Sequence, residues 1–173
     1  MISLDDLKTI CPLANVGKLA LYAEPLSDAM LEFEIDNPAR EAAFIAQIAH
    51  ESGSFRYVKE LASGEAYEGR QDLGNIHPGD GVRFKGRGLI QITGRTNYYQ
   101  CGSALGVDLI AQPELLEQPS YACRSAAWFW SSRHLNELAD KGDFERITRR
   151  INGGLNGLAD RLAYFERAKE ALA

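Results

Sequence analysis

The sequence predicts a mainly α-helical protein with two helical blocks around a glycine-rich central lobe, and three observations carry that expectation. Apolar residues recur at helical spacing through the first third of the chain and again through the last part. Between them, residues 62–88 hold seven glycines (64, 69, 74, 79, 81, 86 and 88), Pro78 and few large aliphatics, a composition suited to a long surface loop rather than a packed helix. Strong helix punctuation also stands at Asn37-Pro38 and Asn152-Gly153-Gly154.

Taken in order, Ser3 caps a segment with Leu4, Leu7 and Ile10, and Asp6 completes a variant of the capping box. Pro12 stops it. A second segment covers roughly residues 16–23 and ends before Pro25; a third carries Leu26, Met30 and Phe33. Asn37 caps the next helix, Pro38 takes its first position, and Ala42, Phe44, Ile45, Ile48 and Ala49 supply its apolar stripe. It runs into His50-Glu51 and breaks at Ser52-Gly53-Ser54. After the lobe, residues 89–93 read as a short extended piece whose period of two sets Gln91 and Thr93 on one face and Ile90 and Ile92 on the other. Leu115-Leu116 falls in a turn between Pro113 and Pro119. Ser120 opens a helix whose Trp128, Phe129 and Trp130 are core candidates, followed by Leu135, Leu138, Phe144, Ile147 and Ile151. The last helix is expected to turn Leu158, Leu162, Phe165 and Leu172 inward.

The chain of 173 residues fits one domain, 1–173, with the composition of an ordinary globular protein. Its net charge of −5, with no basic run longer than Arg149-Arg150, argues against nucleic acid and against an anionic membrane surface as partners. Cys11, Cys101 and Cys123 are odd in number, lack metal-ligand spacing and read as buried small apolar residues. No signal peptide and no apolar stretch approaching the roughly 18 residues of a spanning helix are visible. Synthesis in the cytoplasm is therefore expected, with action outside needing another route.

Glycoside hydrolysis classically uses two carboxyl groups, one to protonate the leaving oxygen and one to activate water or attack. Glu51 and Glu60 are candidates. On one unbroken helix they would lie on opposite faces and roughly 13 Å apart along the axis; the Ser52-Gly53-Ser54 break is what lets Glu60 return across a cleft. At the C-terminal end of an apolar helix, the dipole disfavours an ionised carboxylate, which suits Glu51 to holding a proton. Glu60, in the polar loop, suits the base. Glu65 and Glu68 stand on the same loop as alternatives.

The stretch Ala49-His50-Glu51-Ser52-Gly53-Ser54-Phe55, followed by the run from Gly86 to Arg95 and by Asn97-Tyr98, resembles glycoside hydrolase family 19. That family holds plant-type chitinases and chitinase-like phage endolysins on a lysozyme-like α-helical fold with a substrate cleft. The resemblance covers roughly residues 37–160. It implies Glu51 as general acid, Glu60 as general base, Thr93 as a holder of the nucleophilic water, and Gln91, Asn97, Tyr98 and Asn152 as substrate contacts. It further implies single displacement with inversion, carboxyl groups roughly 6.5–9.5 Å apart, and no metal or cofactor. Tyr57 is a stacking candidate near the cleft, as are Tyr67, Tyr98 and Tyr99. Arg87 and Arg95 are read as structural, and His50 either as structural, hydrogen-bonded in the helix, or as tuning Glu51.

The chain departs from the family in a short segment between Glu60 and Gly79 that lacks the usual aromatic-rich stretch. It also lacks the disulfide pattern of secreted plant chitinases and a chitin-binding module. With no visible signal peptide, these absences favour an endolysin: a monomer that cleaves peptidoglycan glycan strands after a separate membrane-pore protein releases it. Chitin oligomers are the competing substrate, a lytic transglycosylase with a single glutamate the competing mechanism, and a non-catalytic wall-binding module the competing class.

Overall fold

The computed structural model describes residues 1–173 and is mainly helical, with almost no strand. Its helices are α1 (Leu4–Ile10), α2 (Val16–Glu32), α3 (Pro38–Glu51), α4 (Asp80–Arg83), α5 (Arg95–Leu105), α6 (Pro119–Ser132), α7 (Leu135–Asp140), α8 (Phe144–Asn152) and α9 (Leu158–Ala171). The caps fall where the sequence puts them. Ser3 and Asp6 form a reciprocal capping box on α1, and the Asn37 side chain accepts from the Arg40 amide at the start of α3.

The two helical blocks do not stay apart. α2 packs on α6, and α3 packs on α9 and α7, so first and last thirds share one contiguous core. Helix α3 runs through its middle, with every side chain from Ala42 to Ala49 buried. Phe44 meets Trp130 edge to face at 5.4 Å, while Trp128 and Phe129 are only partly buried. Forked ion pairs staple the blocks: Arg124 of α6 to Glu32 of α2, and Arg40 of α3 to Asp140 of α7. The three cysteines are buried thiols, and burial pushes Cys11 up to about 11.

Three expectations need correction. Pro25 does not end a helix: α2 continues through it. An internal proline costs about 3 kcal/mol, but Leu19, Tyr22, Leu26, Ala29 and Met30 on both sides of it share one buried stripe. Burying them outweighs the lost hydrogen bond, and the carbonyl left over belongs to Leu21, on the exposed side. Residues 89–93 are not an extended piece. Arg87 and Ile92 exchange both backbone hydrogen bonds, and Gly88–Gln91 form the tight turn between them, with φ of 85° at Gly88 and 60° at Gln91. Leu89 and Ile90 are therefore both buried, without alternation. On α9, Leu162 is exposed, and the fully buried residues are Arg161 and Ala168.

The glycine-rich lobe is built from short turns at Glu65–Tyr67 and Gln71–Leu73 plus α4. Its polar groups hold it together. Both Glu68 carboxylate oxygens accept backbone amides, from Gly79 and Gly81, at 2.8 Å. Asp80 is 1% exposed and accepts Nε and Nη2 of Arg95, each at 2.8 Å, pinning the lobe to α5. The Arg95 bond holds the Asp80 carboxyl below the usual carboxylate range, against its burial. A depressed carboxylate contributes stability that is complete above the unfolded value, about 3.9 for Asp, and that is lost as pH falls through the lower folded value. Hydrogen exchange at the His77 and Arg95 amides, bonded to Asp80 and Asn75 and taken relative to an unprotected amide at the same pH, should therefore quicken below about pH 4. In Asp80→Asn it should already be fast at neutral pH; unchanged exchange in that variant would show that the latch contributes nothing.

Candidate active site

Glu51 is the last residue of α3 and stands where that buried helix leaves the core, with its side chain 24% exposed. The break after it is sharper than the sequence suggests: Gly53, Ser54 and Phe55 are all left-handed, with φ of 58°, 59° and 64°. Left-handed geometry costs a non-glycine residue roughly 1–2 kcal/mol, so something must hold it. The Ser54 amide bonds the Ala49 carbonyl at 2.7 Å, the Tyr57 amide bonds the Ser52 carbonyl at 2.9 Å, and the Ser54 hydroxyl meets the Tyr164 hydroxyl at 2.6 Å.

The partner of Glu51 comes from far along the chain. Arg161 Nη2 lies 2.7 Å from Glu51 Oε1, and Arg161 Nη1 donates to Gln47 Oε1 at 2.5 Å. Arg161 Nε donates to the Asn156 carbonyl at 3.1 Å, and Gln47 Nε2 donates to the Thr148 hydroxyl at 2.9 Å. Arg161 is 1% exposed. A guanidinium in the interior needs partners on every side, and this one has them on α3 and the α8–α9 turn. Sequence reasoning missed it, although the signal was present: Leu158, Arg161, Phe165 and Ala168 share helical register, so the arginine lies on the inward stripe.

His50 bonds Asp160 at 2.6 Å through Nδ1 and packs over Gly157. A Cβ on Gly157 would lie 2.4 Å from His50 Cε1, at a φ of +72°. Gly157→Ala should thus destabilise the fold by about 2 kcal/mol, seen as a lowered melting temperature; an unshifted melt would refute the close packing.

Glu60 sits on a second, smaller framework. Residue 59 bridges residue 87, residue 87 bridges residue 92, and the Glu60 amide bonds the Gly86 carbonyl at 2.9 Å. Glu60 Oε2 accepts the Tyr67 hydroxyl at 2.9 Å, a bond that raises the Tyr67 hydroxyl above its ordinary value. Glu60 Oε1 is buried without a partner. A Cβ on Gly86 would lie 2.6 Å from Gln91 Oε1 and 3.1 Å from Glu60 Oε2, so those two side-chain ends would have to shift to admit one. Gln91 Nε2 donates to the Gly88 carbonyl, the Thr93 hydroxyl to the Gln91 carbonyl, and Asn97 Nδ2 to the Thr93 carbonyl at 2.8 Å. Glu60, Gln91, Thr93 and Asn97 thus gather around this hairpin, while Glu51 and Asn152 stand on the helical body. Of the alternative bases, Glu68 is committed to two backbone amides and Glu65 is exposed.

Three tyrosines differ from expectation. Tyr98 is fully buried against Phe84, receives Arg87 Nη1 and donates to the Lys85 carbonyl. It has no surface to offer a sugar, and as a substrate contact it is corrected to a prop beneath the hairpin. Arg87 there also bonds Glu117, and Arg95 bonds Asp80, so both arginines are structural. Tyr67 touches Glu60 rather than presenting a free ring. Tyr99 faces outward into a cavity of about 890 Å³ behind α5, which is lined by none of Glu51, Glu60, Gln91, Thr93, Asn97 and Asn152. Tyr57 is 38% exposed, beside Gly53 at the turn after Glu51, with Arg56 over its ring at 5.1 Å. Asn152 ends α8, and its Nδ2 is buried without a partner.

Known proteins share this arrangement of chain. The family model described as chitinase class I matches residues 35–143, well over half of the chain. A Haemophilus influenzae protein named for a glycosyl hydrolase family 19 domain is 33% identical over 161 residues, covering 75% of this chain and 78% of its own. An endochitinase of Arabidopsis thaliana is 40% identical over 114 residues, which is 65% of this chain but only 39% of the plant protein. The chain therefore spans about two fifths of such plant relatives. The crystal structure of chitinase C from Streptomyces griseus superposes on 99% of this chain and 76% of its own, with a TM-score of 0.81 at 26% identity.

Proposed function

Since this chain belongs to glycoside hydrolase family 19, we propose that it is an endolysin-type hydrolase of the β-1,4 bonds in peptidoglycan glycan strands, with Glu51 as general acid and Glu60 as general base. One observation carries the hydrolytic part of this reading. The buried side-chain polar atoms without a hydrogen-bond partner are Glu60 Oε1 and Asn152 Nδ2. Leaving such atoms unpaired costs roughly 1–3 kcal/mol each, and an acceptor for a water proton and a donor for a sugar oxygen are what a hydrolase needs there.

The steps follow from the groups at hand. Glu51 gives its proton to the glycosidic oxygen as the bond to the anomeric carbon breaks. Water, held by the Thr93 hydroxyl, attacks that carbon from the opposite face and loses a proton to Glu60, so the new reducing end has inverted configuration. Glu51 becomes a carboxylate during this step, beside the Arg161 guanidinium. Arg161 keeps its bonds to Gln47 and Asn156 throughout, so its stabilisation of Glu51 grows as the proton leaves. Such a gain along the reaction coordinate lowers the barrier. Gln91, Asn97 and Asn152 are the proposed sugar contacts, with Tyr57 at the cleft edge.

Action on the wall after release by a separate pore-forming protein belongs to the same proposal. The relatives named endochitinase and chitinase favour a second substrate, chitin. Purified sacculi and chitin oligomers, digested in parallel, separate the readings by mass spectrometry and by the anomer first released. Reducing-end muropeptides support the proposal; cleavage of chitin alone keeps the mechanism and overturns the substrate. Anhydro ends would reassign the reaction to transglycosylation.

A further inference from the structure

We propose that the outer face of α8, with the adjoining end of α6, is an anion-binding surface that engages the carboxylates carried along a peptidoglycan strand. It extends the substrate reading above and rests on it. The chain is acidic, with 24 Asp and Glu against 19 Lys and Arg, so most arginines have carboxylates to pair with. Six arginines form no ion pair: Arg56, Arg83 and Arg167 stand apart from one another in sequence, whereas Arg133, Arg149 and Arg150 fall on α8 and the adjoining end of α6, where Arg146 alone pairs, with Asp143. Glu145, one turn before Arg149, does not reach it.

Two of the three are held together. Arg150 Nη1 donates to the Arg133 carbonyl at 2.9 Å, joining α8 to the end of α6. The Arg133 guanidinium lies 3.4 Å over the Phe129 ring, which fixes it in place. Arg149 and Arg150 are exposed in the last turn of α8. Basic residues there are suited to the negative end of a helix, but that accounts for neither Arg133 nor its link to Arg150.

Position ties the surface to the site. Arg149 stands three residues before Asn152, roughly 4.5 Å along the helix axis. Thr148 of the same turn is bonded through Gln47 to Arg161, and so to Glu51. A strand lying over Asn152 would continue across the arginines. Chitin, an uncharged polymer, has nothing to give them; peptidoglycan carries a lactyl-linked stem peptide with free carboxylates on alternate sugars. The surface therefore discriminates between the two polymers by charge, through a mixture of steering and retention that salt screens over about 8 Å at physiological ionic strength.

The test is Arg149→Glu/Arg150→Glu, assayed at low salt on sacculi and on a neutral N-acetylglucosamine hexamer. We expect about a tenfold loss on sacculi that shrinks as salt is added, and turnover of the hexamer that stays within about twofold. Equal turnover of sacculi by both proteins, or equal losses on both substrates, would overturn it. Pelleting with sacculi reads the surface without catalysis, using Glu51→Gln with and without the two reversals. Binding that is lost on reversal, and equally on amidating the stem carboxylates, supports the inference even if no glycan is cleaved, in which case only the proposed function fails. Binding indifferent to both changes refutes it.

Discussion

Glu51→Gln loses about 10³-fold or more in kcat on whichever glycan the wild type cleaves, a magnitude set by removing a general acid. The substitution is nearly isosteric and the amide oxygen still accepts from Arg161, so KM should change little, while loss of the only carboxylate beside the buried Arg161 guanidinium should lower the melting temperature. Glu60→Gln should lose a comparable factor, because an amide takes no proton from water. Its side chain can still accept the Tyr67 hydroxyl, so that loss is chemical rather than structural. Glu65→Gln, at an exposed position, should be neutral. Steady-state kinetics with thermal melts of the three variants decide the matter. Full activity in Glu60→Gln would remove the two-carboxylate mechanism, and a loss in Glu65→Gln would move the base to another part of the lobe.

Arg161→Met should destabilise the fold strongly, by about 3 kcal/mol. The arginine side chain is 2% exposed and serves Glu51, Gln47 and the Asn156 carbonyl together. Methionine fills much of the volume but leaves Gln47 Oε1 buried without its donor and Glu51 without its countercharge. For a domain of this size such a loss lowers Tm by roughly 10 °C. Arg161→Lys restores the charge and not the fork that spans the partners, so it should recover only part of the stability. Activity measured well below both melting temperatures should also fall, since Glu51 has lost the cation that meets its developing charge. A melt within about 2 °C of wild type would mean that the network carries far less than its geometry implies.

How much of this was legible beforehand depends on how far apart the interacting residues lie in sequence. Caps at Ser3 and Asn37, the break after Glu51 and the glycine-rich lobe are local, decided by a few adjacent residues, and they were readable. So were the buried cysteines and the structural roles of Arg87 and Arg95. Pro25 misled because its local penalty competes with a stripe that packs on α6, about a hundred residues later. The hairpin at 88–91 misled because a period of two was read through a turn, whose left-handed Gln91 is held by the flanking pair Arg87 and Ile92.

The catalytic candidates divide in the same way. Motif and helix punctuation alone pointed to Glu51, Glu60, Gln91, Thr93 and Asn152, because a helix end, a tight turn and a loop are written in short runs of residues. Tyr98 belonged to the same motif, yet the fold turns it inward beneath the hairpin, and no local rule says which face of α5 meets Phe84. Arg161 stands 110 residues after Glu51; only the packing of α9 on α3 joins them. Local chemistry in the sequence determined which groups are available to move protons. Tertiary packing decided which of them meet, because burial and ion pairing depend on contacts between segments that the chain brings together only when folded.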